Sequence, residues 1–218
     1  MRTIKNILAF LMLFLLNGIV YGGEKDMTKL PPPSLKGKIS LEETISKRRS
    51  VRNFEDKKLS IEQISQILWS AQGITDSLSR KRSAPSAGAV YPIKIYLVSP
   101  DGFFLYVPEN HSIQKLLGGD LRNSLASEAY GQYFINAAGA SIVIASDYDK
   151  IMKRYGSKAV RYCDMEAGHI AQNVHLEAVA LGLASVPVGA FDENGVKRLF
   201  RLPENEEPVY IIPVGYQK

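Results

Sequence analysis

Three guanidinium groups and a hydroxyl fall within one five-residue stretch, Arg48-Arg49-Ser50-Val51-Arg52. A guanidinium is always charged and presents a planar fork of donors, so several converging at a helix end or loop suit a phosphate or an electron-rich ring edge. Taken alone, such a stretch reads as a solvated basic surface. Its company changes that reading. At Pro85-Ser86-Ala87-Gly88, small side chains and a glycine let backbone N–H groups approach a flat ligand closely, and the Ser86 hydroxyl can donate to a phosphate oxygen. Other familiar sites are missing from the sequence. There is no G-x-G-x-x-G opening a strand–helix unit and no G-x-x-x-x-G-K-[ST]. His169 and His175 are six apart and point in different directions on a helix, which suits no two-histidine metal site, and both read as structural. His111 follows Pro108-Glu109-Asn110 in a turn and reads as exposed. Ser86 lacks the G-x-S-x-G elbow of a serine nucleophile.

The elements that must position these residues follow from periodicity and caps. Ser40 with Glu43 forms a capping box for a short helix ending in Lys47, Arg48 and Arg49, which places the basic stretch at a helix exit. Ser60 with Gln63 forms a second box, and Ile61, Ile64, Ile67, Leu68 and Ala71 recur at helical spacing until Gly73. A polar, basic loop covers 75–83. Ile93 to Val98 alternates as a strand, Pro100-Asp101-Gly102 turns, and Phe103 to Val107 returns, giving a hairpin. A helix is expected over 121–129 with Asp120 as its cap, and a buried strand over 140–145. The longest helix covers 164–181, with Ile170, Val174, Ala178 and Leu181 on one face and a second, largely apolar face that marks it as a central or interface helix. Val196, Leu199 and Phe200 mark a short helix; the last strand is 209–214, where Pro213 points to an edge or strand end. Tyr130, Gln132 and Tyr133 could line a substrate, but aromatic residues in such a segment read first as core packing. Strands and helices without regular βαβ alternation give an α+β layered domain.

With 218 residues the chain holds one substantial domain, and 45% hydrophobic against 22% charged residues describes a globular one. A net charge of +5 spread along the chain, without a basic stripe interleaved with aromatics, excludes nucleic acid as the expected partner. Arg2 and Lys5 precede the apolar run Ile7–Leu16, and Val20-Tyr21-Gly22 offers small side chains for cleavage. Residues 1–22 therefore read as a cleaved secretory signal, and the protein as exported, periplasmic or secreted. The segment 23–39, with Pro31-Pro32-Pro33 and several lysines, reads as an extended linker or arm outside the core, leaving 40–218 as the domain. Cys163 is the single cysteine and reads as buried.

Arg48 to Arg52, the Pro85–Pro92 segment, Gly168-His169-Ile170-Ala171-Gln172-Asn173 leading to Leu183, and Pro187-Val188-Gly189-Ala190 together resemble the nitroreductase superfamily, nearest its SagB-type dehydrogenase branch, in register from about Ser40 to Tyr216. The resemblance implies a nitroreductase-like layered fold, with a central, mostly antiparallel sheet flanked by helices, and a homodimer with FMN at the subunit interface. It implies that Arg48, Arg49 and Ser50 hold phosphate and ribityl oxygens and that Arg52 lies toward the pyrimidine edge. There a fixed cation stabilises the charge of the reduced ring. Pro85, Ser86, Ala87 and Gly88 would come from the partner subunit, and Pro187, Val188 and Gly189 would flank the ring, with the Gly189 N–H facing N5. Gln172 and Asn173 would play a supporting part, with helix-to-loop hydrogen bonding as the alternative. Two features depart from the family's pattern. Ala89-Val90-Tyr91-Pro92 stands where many members carry an Asn and a Trp, and Lys218 stands in for the usual basic C-terminal segment. The activity implied is hydride transfer through the flavin to or from a small organic substrate, with NAD(P)H or a redox protein as electron donor; the alternative is a non-catalytic flavin- or small-ligand-binding protein on the same fold.

Overall fold

Ile93, Ile95 and Leu97 alternate with Lys94, Tyr96 and Val98, and successive side chains of a strand point to opposite faces. In the computed structural model, which describes residues 26–218, the first set joins one hydrophobic core, while Tyr96 and Val98 join another across the sheet. The same split recurs at Ile142 and Ile144 against Val143 and Ala145, and at Ile212 against Ile211. The sheet is thus a partition buried on both faces, which explains the apolar continuity of 140–145.

Seven strands build it: β1 (Met27–Lys29), β4 (Ile93–Ser99), β5 (Gly102–Val107), β6 (Ser112–Leu117), β7 (Ala140–Asp147), β8 (Ala184–Ser185) and β9 (Glu206–Gly215). Their order is β1-β6-β5-β4-β7-β9-β8, and every pairing is antiparallel. On one face lie α2 (Ile61–Gln72), α5 (Tyr148–Tyr155) and α6 (Ala159–Ala180), with α1 (Leu41–Lys47) against α6. On the other lie α3 (Arg122–Glu128), α4 (Phe134–Ala137) and α7 (Glu193–Phe200). In that second core Phe103 is fully buried, stacked between Tyr96 at 5.0 Å and Phe200 at 4.1 Å.

Several elements differ from expectation, each for a physical reason. Part of the segment 23–39 is not outside the core: β1 pairs with β6, and Leu30 is buried with its N–H on the His111 carbonyl. Three residues, Met27, Thr28 and Lys29, are too short a run to carry a strand signal until β6, itself unforeseen, offers them an edge. The loop 75–83 closes into a small ribbon of β2 (Ile74–Asp76) and β3 (Lys81–Arg82). Helix α5 was not expected; Asp147 caps it, accepting the Lys150 N–H at 3.0 Å. Helix α6 starts five residues before the expected Asp164, because a 3₁₀ turn at Gly156–Lys158 feeds directly into it. The Ser60–Gln63 box is complete, whereas at Ser40 only half forms, since the Glu43 side chain pairs with Lys47 instead. Asp120 accepts the Arg122 N–H, but the capping position of α3 is Leu121. The Pro213 carbonyl accepts the Val186 N–H, so its nitrogen, which lacks a hydrogen, faces the ragged β8 side where ladder bonds are few.

Candidate functional site

Arg48 closes α1, its N–H on the Thr44 carbonyl at 2.9 Å. The chain then runs extended between β8 and the C-terminal residues. Ser50 bridges Ser185 in parallel, the Val51 N–H reaches the Ser185 carbonyl at 3.1 Å, and Phe54 bridges Gln217. The Lys218 N–H donates to the Asn53 carbonyl at 3.1 Å, which brings the terminal lysine beside the basic stretch. Val51 and Phe54 pack on the second core and anchor the segment. Ser50 and Arg52 are exposed, and their side chains have no hydrogen-bond partner among the described residues. Arg49 behaves differently: it turns back onto the helix end, donating to the carbonyls of Ser46 at 3.0 Å and Arg48 at 2.7 Å. With Val51 and Gln217 it borders a cleft of about 1350 Å³ that extends over Trp69, Leu176 and Leu183 to the arm residues Ser34–Lys38.

Beneath the segment, α6 presents His175, buried, with Nδ1 2.8 Å from the Ser185 hydroxyl and Nε2 without a partner among the described residues. Burial, reinforced by the Arg48 charge, pushes its pKa down to about 4, so it stands neutral beside a fixed cation. His175 therefore holds Ser185, and the Ser185 backbone holds Ser50 and Val51. Past β8, Val188 exchanges both backbone hydrogen bonds with Ile211 at 2.8 and 3.0 Å, while Gly189 is exposed and its N–H has no acceptor among the described residues. Gln132 ties the α3–α4 turn to this strip, donating to the Ala190 carbonyl at 2.8 Å. Tyr130 and Tyr133 on that turn are 71% and 66% exposed, which corrects the expectation of core packing: Tyr130 takes a left-handed φ of 56° that swings the chain outward.

Pro85–Gly88 lies elsewhere. Ser86 sits beside Glu166, nine positions before His175 on α6, a rise of about 14 Å at 1.5 Å per residue. No described hydrogen bond joins 85–88 to 48–52 within one subunit. Glu166 is buried, with Oε1 accepting from Gln72 at 3.0 Å and Oε2 without a partner among the described residues. Burial pushes its pKa up to about 7, with Ser86 and Gln72, and Arg82 and Lys150 further off, opposing the rise. This group was overlooked at the level of sequence, although its signal was present: Glu166 is four residues from Ile170 and eight from Val174, on the apolar stripe itself.

Asn173 donates to the carbonyls of Ser70 at 3.1 Å and Ser83 at 3.3 Å, the helix-to-loop alternative, while Gln172 is exposed. His111 is not exposed in its turn; it is half-buried among Ser65, Tyr106 and the Pro31 carbonyl, because the arm folds over it. His169 is exposed and Cys163 is buried. The signal-like residues 1–22 lie outside the described residues.

The antiparallel sheet, buried on both faces, thus carries at one edge an exposed basic segment, with the exposed Gly189 backbone just past β8. The Nitroreductase family model matches residues 45–216, and the chain belongs to that family of flavin-dependent oxidoreductases. A Methanocaldococcus jannaschii protein named as a nitroreductase is 40% identical over 183 residues, covering 81% of this chain and 91% of its own. The microcin B17-processing protein McbC of Escherichia coli is 26% identical over 164 residues, 70% of this chain and 60% of its own, in keeping with the SagB-like resemblance. Among solved structures, a nitroreductase from Ralstonia eutropha superposes with a TM-score of 0.81 at 27% identity, over 90% of this chain and 92% of that one, so the layered fold is the nitroreductase fold.

Proposed function

We propose that this chain is an FMN-dependent oxidoreductase that works as a homodimer and moves a hydride to or from a small organic substrate. The observation that carries the reading is the Ser50–Ser185 bridge, which sets Ser50, Arg52, Lys218 and the open Gly189 N–H along one exposed strip with donors to spare. Such a donor set fits FMN: guanidinium and ammonium for phosphate and ring edge, and a backbone N–H with no Cβ beside it for close approach to a flat ring. Arg48, Ser50, Arg52 and Lys218 would bind the cofactor, and Pro187–Gly189 would orient it, while Tyr130 and Tyr133 would shield the substrate side from water. Bound there, the flavin would supply two-electron chemistry at N5. Arg49, which spends its donors on the end of α1, would have to release them to take part.

The distance between 85–88 and 48–52 along α6 supports a second copy as the source of Pro85, Ser86, Ala87 and Gly88. So does the face of α6 carrying Met165, Gly168, His169 and Gln172, which is exposed in one subunit at a spacing that forms a single stripe. NAD(P)H or a redox protein would donate electrons. The charged and apolar runs at the N-terminus support export. The test is to purify the protein, record its visible spectrum, identify the released cofactor by mass, and measure molar mass in solution. A yellow dimer releasing FMN, bleached by a two-electron donor, is expected. A colourless protein that FMN cannot reconstitute refutes the reading, and a yellow one that no donor reduces would favour the non-catalytic alternative.

A further inference from the structure

The loop from Ser86 to Tyr91 has an unusual backbone. Gly88 takes φ 59°, and so, against the ordinary preference of L-residues, do Ala89 at 54° and Tyr91 at 51°. Two non-glycine residues in the left-handed region within three positions persist only where surrounding contacts over-determine them. Those contacts come largely from α5. Lys150 Nζ donates to the Tyr91 carbonyl at 3.0 Å, and Arg154, four residues on and so on the same face of the helix, donates to the Gly88 carbonyl at 3.1 Å. The helix lies flush on the loop: a Cβ added to Gly88 would stand 2.5 Å from the Tyr155 hydroxyl and 2.6 Å from the Arg154 guanidinium. Inside the loop, the Tyr91 N–H is taken by the Ser86 hydroxyl at 2.9 Å and the Ala89 N–H by the Ser86 carbonyl at 3.0 Å. The N–H groups of Ala87 and Gly88 are left without an acceptor among the described residues.

We propose that Lys150 and Arg154 are positioning residues, a two-point clamp on α5 that holds the Ser86–Tyr91 loop in its left-handed shape and keeps the Ala87 and Gly88 N–H groups turned to a cofactor. The inference rests on the FMN reading for the identity of that cofactor, but not for the clamp itself. The Gly88 carbonyl shares its peptide plane with the Ala89 N–H, which the Ser86 carbonyl accepts at 3.0 Å, and that carbonyl shares its plane with the Ala87 N–H. The Ala87 carbonyl, accepting the Val90 N–H at 3.3 Å, holds the plane of the Gly88 N–H in the same way, so a loop pinned at Gly88 by Arg154 and at Tyr91 by Lys150 fixes both free N–H groups by relay. Neither cation need touch the flavin.

The experiment replaces both residues, Lys150→Met and Arg154→Met, which keeps the apolar stems and removes the donors. In the cofactor-free protein, hydrogen exchange at Ala89, Val90 and Tyr91 is expected to speed up about tenfold or more while α6 stays protected. FMN affinity, read by quenching of flavin fluorescence, is expected to fall about tenfold with the apo-protein melting temperature within about 2 °C of wild type. Lys150→Arg with Arg154→Lys, which keeps a donor at each point, is expected to restore both readouts. Unchanged exchange in the loop overturns the clamp, as does an affinity loss that tracks a matching fall in melting temperature or that the conservative pair fails to rescue. A wild-type protein that binds no FMN while the exchange result holds overturns the flavin reading and leaves the clamp standing.

Discussion

Two buried titratable groups on α6 oppose each other, and replacing one exposes the other. Glu166 has its carboxyl raised from the ordinary 4.5 to about 7 by burial, so between those values the folded protein binds a proton that the unfolded chain has released. Its contribution to stability is therefore full below pH 4.5 and is lost as pH rises through 7. His175, lowered by burial from 6.5 to about 4, works the other way: the unfolded chain takes a proton that the folded one refuses, so stability is lost as pH falls from 6.5 toward 4. From pH 4.5 to 6.5 each changes the folding constant about tenfold per pH unit with opposite sign, and the pair nearly cancels. Glu166→Gln keeps an oxygen for the Gln72 amide and removes the titration. The variant is expected to lose roughly 3 kcal/mol relative to wild type on going from pH 6.5 to 4.5, because the His175 term is then uncompensated. His175→Gln should tilt the other way, gaining stability relative to wild type over the same interval. Urea unfolding at four pH values between 4.5 and 7.5 measures the difference, and other titrating groups drop out because wild type and variant share them. Parallel pH profiles for wild type and Glu166→Gln would show that Glu166 is not held protonated by burial, and would refute the reasoning.

Two further outcomes test the site and the packing. Arg52→Ala removes an exposed side chain with no described partner, so melting should shift by no more than about 2 °C, while FMN binding weakens roughly ten- to a hundredfold through loss of a charge-assisted hydrogen bond; equal affinity in a calorimetric titration removes Arg52 from the site. Gly73→Ala adds a Cβ 2.2 Å from Trp69 Cδ1 and 2.7 Å from the Trp69 carbonyl, at a φ of −63° that any residue adopts, so the loss is steric and should reach about 1–3 kcal/mol in urea unfolding; an unchanged midpoint means that the indole swings aside at no cost.

What could be read directly from the chain was whatever neighbouring residues encode. The period of two along Ile93–Val98 announced β4, and the apolar run at 140–145 announced β7, because alternation and continuity are local records of burial. The box at Ser60 marked the start of α2 to the residue, since a cap needs only the residues three apart that make it. Arg48 to Arg52 stood out by charge, and Cys163 by the want of any partner cysteine. Other features carried no such record. Helix α5 was missed because it is only eight residues long and Lys150, Lys153 and Arg154 interrupt a stripe of just Tyr148, Ile151 and Tyr155. His111 looked exposed until the arm closed over it, and the aromatic Tyr130 and Tyr133 looked buried until a left-handed turn carried them out.

Residue types and their spacing determined the layers, the caps and the chemical character of the basic strip, because helix and strand periods and formal charge belong to the chain before it folds. Only the tertiary structure decided which donors stand together. The Ser50–Ser185 bridge and the Lys218–Asn53 bond join residues more than a hundred positions apart, and Glu166 and His175 acquire their shifted proton affinities only once α6 is buried. Pairing across a sheet and loss of solvent arise from the packing of distant segments, which no local pattern specifies.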